Sequence, residues 1–148
     1  MKVAIGCDHA GYEMKCYLSK ELTALGYDMI DCGTDSTDSV DYPDFALKVC
    51  SLVKSGDALR GIVICSTGIG VSITANKVCG IRAALCHTEF SAYMARHHND
   101  ANILALGAAV IGNGLALAIA KMYLNEKFSN EERHIRRIHK LQDIENMI

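Results

Sequence analysis

Proline is nearly missing from this 148-residue sequence, which has only Pro43. No stretch is biased enough in composition to read as disordered or as a linker. Charge of one sign is lacking too: the formal net charge is −2 at pH 7. That balance leaves no electrostatic footprint for nucleic acid or an anionic membrane. No apolar run approaches the roughly 18 residues needed to cross a bilayer. Met1-Lys2-Val3-Ala4-Ile5-Gly6 reads as a first strand rather than as a signal peptide. Paired cysteines are missing as well. Seven cysteines occur, an odd number, and none is spaced C-x-x-C. Several lie inside apolar runs, where cysteine behaves as a small hydrophobe. This is the usage of a reducing compartment, so a cytoplasmic location is expected. The same spacing argues against a zinc site, and no metal or cofactor is expected.

What is present points to one α/β domain over residues 1–148. Half of the residues are apolar, and this length buries a real core. Strands are expected at Lys2–Cys7, Asp28–Cys32, Gly61–Cys65, Arg82–Cys86 and Asn102–Gly107. Between them the periodicity predicts helices at Tyr12–Leu25, Pro43–Ser55, Val71–Lys77, Thr88–His98 and Leu115–Leu124. Gly26 and Gly56 fall where helices end, and Pro43 suits a first helical turn. Strict alternation implies a five-stranded, doubly wound parallel sheet of flavodoxin-like or Rossmann-like order. The helix around Leu115–Ala120 is apolar nearly all round, which predicts a subunit interface, with a covered core helix as the alternative. A final amphipathic helix is expected over Glu131–Met147.

The chain centres on Gly61-Ile62-Val63-Ile64-Cys65-Ser66-Thr67-Gly68-Ile69-Gly70-Val71-Ser72. A continuous apolar run bounded by glycine is the pattern of a parallel strand covered on both faces. Ligands of such sheets bind beyond the carboxyl ends of the strands, where Cys65 would stand. The N–H groups of Ser66, Thr67, Gly68, Ile69 and Gly70 could cradle an oxyanion, and the start of a helix favours a thiolate over a thiol. The plain alternative is a packing cysteine. Gly68-Ile69-Gly70-Val71 lacks the third glycine of a dinucleotide fingerprint, and no G-x-x-x-x-G-K-[ST] occurs. A thiol phosphatase needs an arginine where Val71 stands.

Asp8 and His9 follow the first strand and should open on the same sheet edge as Cys65. Otherwise Asp8 is a helix cap and His9 a surface turn residue. In Arg96-His97-His98-Asn99-Asp100, one histidine is an ordinary partner of a helix C-terminus, and the other is a candidate acid or base. Arg133 and Arg137, four apart, share a helical face and could chelate a phosphate. On spacing alone, a solvated basic face paired with Glu131 and Glu132 is the simpler reading.

Six motifs in order resemble type B ribose-5-phosphate isomerase, a family grouped with the galactose-6-phosphate isomerase subunits. They are Gly6-Cys7-Asp8-His9-Ala10-Gly11, Asp41-Tyr42-Pro43-Asp44, Ile64–Gly70, Ala75-Asn76-Lys77, Gly80-Ile81-Arg82-Ala83 and His98-Asn99-Asp100-Ala101-Asn102. The similarity spans essentially the whole length. It implies a homodimer with active sites between subunits, tetramers being an open extension, and a C-terminal helix packed on the partner. It implies a small phosphosugar substrate, with Cys65 as general base and His98 as the acid that opens the sugar ring. Thr67 would assist, and the amides of Ser66 to Gly70 would hold an enediolate. Asp8 and His9 would contact the sugar, Asn99 its hydroxyls, and Arg133 and Arg137 the phosphate. A second branch of the family uses a glutamate as base where this chain has Val71, which points to the cysteine branch.

Two departures bear on substrate. Ser66 replaces a glycine common in relatives, leaving its amide available. Ala109 stands where many relatives carry a substrate-contacting arginine, which keeps a six-carbon phosphosugar open beside ribose 5-phosphate. Two other classes fit parts of the pattern: a phosphosugar-binding module without turnover, and a phosphoryl carrier charged on Cys65.

Overall fold

The computed structural model describes residues 1–147; Ile148, the last residue of the expected domain, lies outside them. Five parallel strands form one sheet: β1 (Lys2–Cys7), β2 (Asp28–Asp31), β3 (Arg60–Cys65), β4 (Ala83–Leu85) and β5 (Ile103–Gly107). Their order is β2-β1-β3-β5-β4. This is a doubly wound sheet that exchanges the last two strands of the flavodoxin order 2-1-3-4-5.

Right-handed crossovers explain which helix covers which face. The helices are α1 (Tyr12–Ala24), α2 (Tyr42–Ser55), α3 (Ile69–Ala75), α4 (Glu89–His97), α5 (Asn113–Asn125) and α6 (Glu132–Glu145). Connections that run toward β4 put α2 and α3 on one face, where Val49, Cys50, Val71 and Ala75 pack against Val63, Cys65 and Ala105. On the other face, residues of α1, α4 and α5 cover Ile62, Ile64, Leu104 and Leu106. Each fully buried isoleucine or leucine in this sandwich contributes about 1.5–3 kcal/mol of transfer free energy.

Strands β2 and β4 are shorter than their apolar runs predict. Arg82 leaves the β4 ladder because its N–H is taken by the Asn102 side-chain oxygen at 2.8 Å, while its guanidinium binds the carbonyls of Asn99 and Asp100 at 3.0 and 3.2 Å. A short, diverted edge strand also offers little for unwanted pairing. One face of helix α5 takes the covered-core arrangement. Ala116, Ile119, Ala120 and Tyr123 are fully buried within the core cluster shared by α1 and α4, while Leu115 stays exposed near its start. Further apolar surface lies on α6, where Leu141 and Ile144 are exposed. Both ends of α6 hold to the amino edge of the sheet. Ser129, just before it, donates its N–H to the His97 carbonyl at 3.0 Å, and Glu145 accepts the Gly80 N–H at 3.0 Å.

Candidate active site

Strands β1 and β3 lie side by side, but the chain leaves them in opposite directions, toward β2 and toward β4. That divergence opens a crevice at their carboxyl ends, flanked by Cys7-Asp8-His9 and Cys65-Ser66-Thr67. Cys65 is 5% exposed and packs among Val63, Val71 and Ala105. Its sulfur nevertheless accepts the Gly68 N–H at 3.1 Å, a donor suited to a thiolate. Gly68 is needed for this bend. Its φ is +76°, and a Cβ there would stand 2.4 Å from Leu85 Cδ1 and 2.8 Å from the Leu106 carbonyl carbon.

The loop after β5 braces the cradle from behind. Ala108 and Ala109 donate their N–H groups to the carbonyls of Cys65 and Ser66 at 2.9 and 2.8 Å. A Cβ on Gly107 would meet the Thr67 carbonyl at 2.6 Å, so only glycine permits this approach. Ala109 is exposed beside the loop and presents no cation. Within the cradle, Thr67 Oγ1 accepts the Ile69 N–H at 3.3 Å. Among the described residues, the N–H groups of Ser66, Thr67 and Gly70 have no acceptor in the chain, so these three remain open to an oxyanion.

Asp8 is a cap, as its simpler reading holds. One carboxylate oxygen, Oδ1, accepts the N–H groups of Ala10 and Gly11 at 3.0 and 3.2 Å, ending β1 in a short 3₁₀ turn at His9–Gly11. No protein donor reaches its second oxygen among the described residues. His9 Nδ1 accepts the Val40 N–H at 3.2 Å. The imidazole, when neutral, therefore carries its proton on Nε2 and presents a donor there. This bond also ties down the segment leading to Tyr42, whose ring covers Gly70: a Cβ on Gly70 would lie 2.7 Å from Tyr42 Cζ. Sequence reasoning did not single out Tyr42 as a site residue. Its signal was the motif Asp41-Tyr42-Pro43-Asp44, in which Pro43 reads as the start of a helix.

The remaining expected residues sit elsewhere on the chain. Helix α4 runs from the carboxyl edge to the amino edge, and His98 caps its end. Asn102, four residues on, gives its carbonyl to the Gly61 N–H at the start of β3. Gly61 and Cys65 lie four residues apart along β3, about 13 Å at roughly 3.3 Å per residue. Within one chain, His98 and Cys65 are thus at opposite edges of the sheet.

Around His98 the amino edge forms its own cluster. The His98 and His134 rings lie 4.2 Å apart between centroids, and His134 Nδ1 is 2.6 Å from Ser129 Oγ. Burial, and then the neighbouring His98 charge, holds His134 below its ordinary value. His97 takes the structural role expected of one of the pair. It is stacked on Tyr93 at 4.9 Å and bound to Glu126 at 2.9 Å. Asn99 is exposed, with only its carbonyl held by Arg82. Arg133 pairs with Glu131 at 2.8 Å, the simpler reading of the basic face, and Arg137 projects exposed from the same helix. Among the described residues, no group of three histidines, cysteines or carboxylates could hold a metal ion, and no helix is long and apolar enough to cross a membrane.

The sequence profile described as ribose/galactose isomerase matches residues 3–141. A solved structure described as ribose-5-phosphate isomerase B of Clostridium thermocellum superposes with a TM-score of 0.97 at 53% identity, over 99% of both chains. Ribose-5-P isomerase B of Listeria innocua serovar 6a is 48% identical over 87% of this chain and 87% of its own. Ribose-5-phosphate isomerase B of Escherichia coli (strain K12) is 42% identical over 97% of this chain and 96% of its own.

Proposed function

The chain belongs to the ribose/galactose isomerase family and is an aldose–ketose isomerase, and from that premise we propose that it interconverts ribose 5-phosphate and ribulose 5-phosphate at a site shared by two copies. The observation that carries this reading is the Cys65 sulfur with a backbone N–H directed at it, beside three unoccupied amides. The spread of the other residues supports a homodimer. One subunit contributes the thiol cradle, Asp8 and His9, and the partner contributes the edge that bears His98, Asn99, Arg133 and Arg137. The exposed apolar residues of α6 are suited to packing on that partner. Seven free thiols suit a reducing cytoplasm.

In the forward direction His98 gives a proton to the ring oxygen as the bond from that oxygen to carbon 1 breaks, while the carbon 1 hydroxyl gives up its own proton through the Thr67 hydroxyl to water, which restores His98 and leaves the open-chain aldehyde. Thr67 assists this opening. The Cys65 thiolate then takes the proton from carbon 2. The electron pair forms a double bond between carbons 1 and 2, and the aldehyde oxygen becomes an enediolate oxyanion facing the Ser66, Thr67 and Gly70 amides. Cys65 returns the proton to carbon 1, and the proton on oxygen 2 moves to oxygen 1, leaving the ketose. Nothing is gained or lost overall, so the step needs no redox partner. Arg133 turns from Glu131 to the phosphate with Arg137, and that remote binding holds carbon 2 against the sulfur.

Deuterium exchange at carbon 2 of ribose 5-phosphate tests this directly. Cys65→Ala should abolish it while leaving the fold intact; exchange at the wild-type rate would remove the base. Ala109 favours a second reading, a six-carbon phosphosugar, because the edge of the cradle carries no cation there. Comparing kcat/KM on ribose, allose and galactose phosphates separates the two. Binding of all three without turnover would indicate a non-catalytic module, and a phosphoryl adduct in the intact mass would indicate a carrier.

A further inference from the structure

At the amino edge a cavity of about 440 Å³ opens between the start of β3, the last turn of α4 and the chain joining α5 to α6. Its size falls within the roughly 300–1,000 Å³ of small-molecule sites. Arg60, Arg96 and Lys127 line it, with Asp100 and Glu126 as the acidic residues. Both carboxylates are already engaged. Asp100 accepts from Arg96 Nη1 at 2.7 Å and from Arg82 Nη2 at 3.1 Å, and Glu126 is bound to His97.

Of the cations, Arg96 is paired with Asp100 and donates to the Ala101 carbonyl at 2.7 Å, but the other two have no carboxylate partner among the described residues. Arg60 reaches only the Leu59 carbonyl, at 2.8 Å, and Lys127 has no partner among the described residues. Arg96 is 2% exposed, yet its Nε donates to nothing. The fully buried Tyr123 hydroxyl is also without a partner, and it lies close enough to Arg60 and Arg96 to feel their charge. Both of these atoms are sealed from the cavity, so the groups left to call for an anion are the two lining cations without a carboxylate partner among the described residues, Arg60 and Lys127. Arg60 is held below the ordinary arginine range first by burial and then by the charge of Arg96. Like charges crowded in this way gain most from a shared anion.

We propose that this cavity binds a compact phosphoryl dianion, at a site separate from the thiol cradle on the opposite edge. Arg60 and Lys127 supply the charge that meets the ligand, and the buried Arg96 guanidinium, held by Asp100, adds to the field behind them. Guanidinium groups suit phosphate oxygens through charge-assisted hydrogen bonds. The dianion could be free phosphate or the phosphate of a small metabolite.

Isothermal titration of the whole protein at constant ionic strength tests the proposal, with inorganic phosphate and with glycerol 3-phosphate as separate probes. The background is R133Q/R137Q, which removes the other cationic cluster. One saturable site per chain is expected, and R60Q should weaken it by about tenfold or more without changing the melting temperature. Tighter binding of glycerol 3-phosphate assigns the site to a phosphorylated metabolite, and equal or weaker binding assigns it to free phosphate; both outcomes support it. Absence of saturable binding, or binding that R60Q leaves untouched, overturns it. Should R60Q fail to fold, K127Q is read in the same way.

Discussion

The two edges of this sheet are built from different materials. At the carboxyl edge the groups around Cys65 are mainly backbone: the Gly68 N–H at the sulfur, open amides beside it, and the β5 loop bonded behind. At the amino edge the groups are side chains: adjoining imidazoles, arginines and the carboxylates that pair with them. The contrast suits the two tasks proposed for them. An oxyanion that forms only during reaction is best met by dipoles that need no reorganisation. A phosphate carried throughout is best met by long cationic arms that can exchange Glu131 for the ligand.

The sharpest way to break this comparison is to separate the edges genetically. Cys65→Ala and His98→Asn should each lower kcat by about 10²–10⁴-fold, the usual worth of a general base or acid. Mixing the two variants after dissociation and reassociation should restore about a quarter of wild-type activity, because half of the dimers are hybrids with one intact site. No gain on mixing would mean that the edges do not meet across a two-fold axis.

A smaller effect is expected from the arms alone. Arg133→Gln should lower kcat/KM by about 10–100-fold, chiefly through KM, in line with one charged hydrogen bond of about 1.5–3 kcal/mol. Unchanged kinetics would leave Arg133 as a partner of Glu131 and nothing more.

Glycines sharpen the contrast in stability. Gly68 and Gly80 both have positive φ, +76° and +84°, but only Gly68 is hemmed in by Leu85 and Leu106. Gly68→Ala should cost about 1–3 kcal/mol in denaturant unfolding, plus activity through the displaced amide. Gly80→Ala should cost only about 1–2 kcal/mol, the penalty for left-handed backbone, and leave activity alone.

The smallest effects are pH-dependent and have opposite signs at the two extremes. His134 is held below its ordinary 6.5, so the folded state binds fewer protons than the unfolded chain. Its contribution is present above pH 6.5 and declines as pH falls, and His134→Asn should flatten the acid limb of a stability profile. Burial pushes the Cys50 thiol up to about 11 and the Cys7 thiol up to about 12. The folded state there keeps protons that the unfolded chain releases, so stability is full below pH 9 and declines above it. Cys50→Ala should reduce that alkaline slope.

Much of this was legible without coordinates. The run Gly61–Cys65 ending in a glycine-rich loop announces a covered parallel strand, and β3 is that strand. Gly56, with φ +84°, closes α2 as its position predicts. Other features were ambiguous for physical reasons. The apolar helix α5 has the same composition whether it faces a partner or lies between α1 and α4, and only packing separates these cases. His97 and His98 are adjacent and chemically identical, and only the fold sets them apart, placing His97 on Tyr93 and Glu126 and His98 beside His134. Tyr42 and His134 carry no spacing signal, since each is brought to its neighbours by long-range folding.

Alternation of apolar runs with helical periods, and the residues where the backbone must bend, were determined by the sequence alone, because those depend on local sterics and on hiding hydrocarbon from water. The placement of β5 inside β4, and with it the division of Cys65 and His98 between opposite edges, was decided only by the tertiary structure. Strand order follows from the direction of each crossover and the packing of helices on two faces. Neither quantity is local to any stretch of chain.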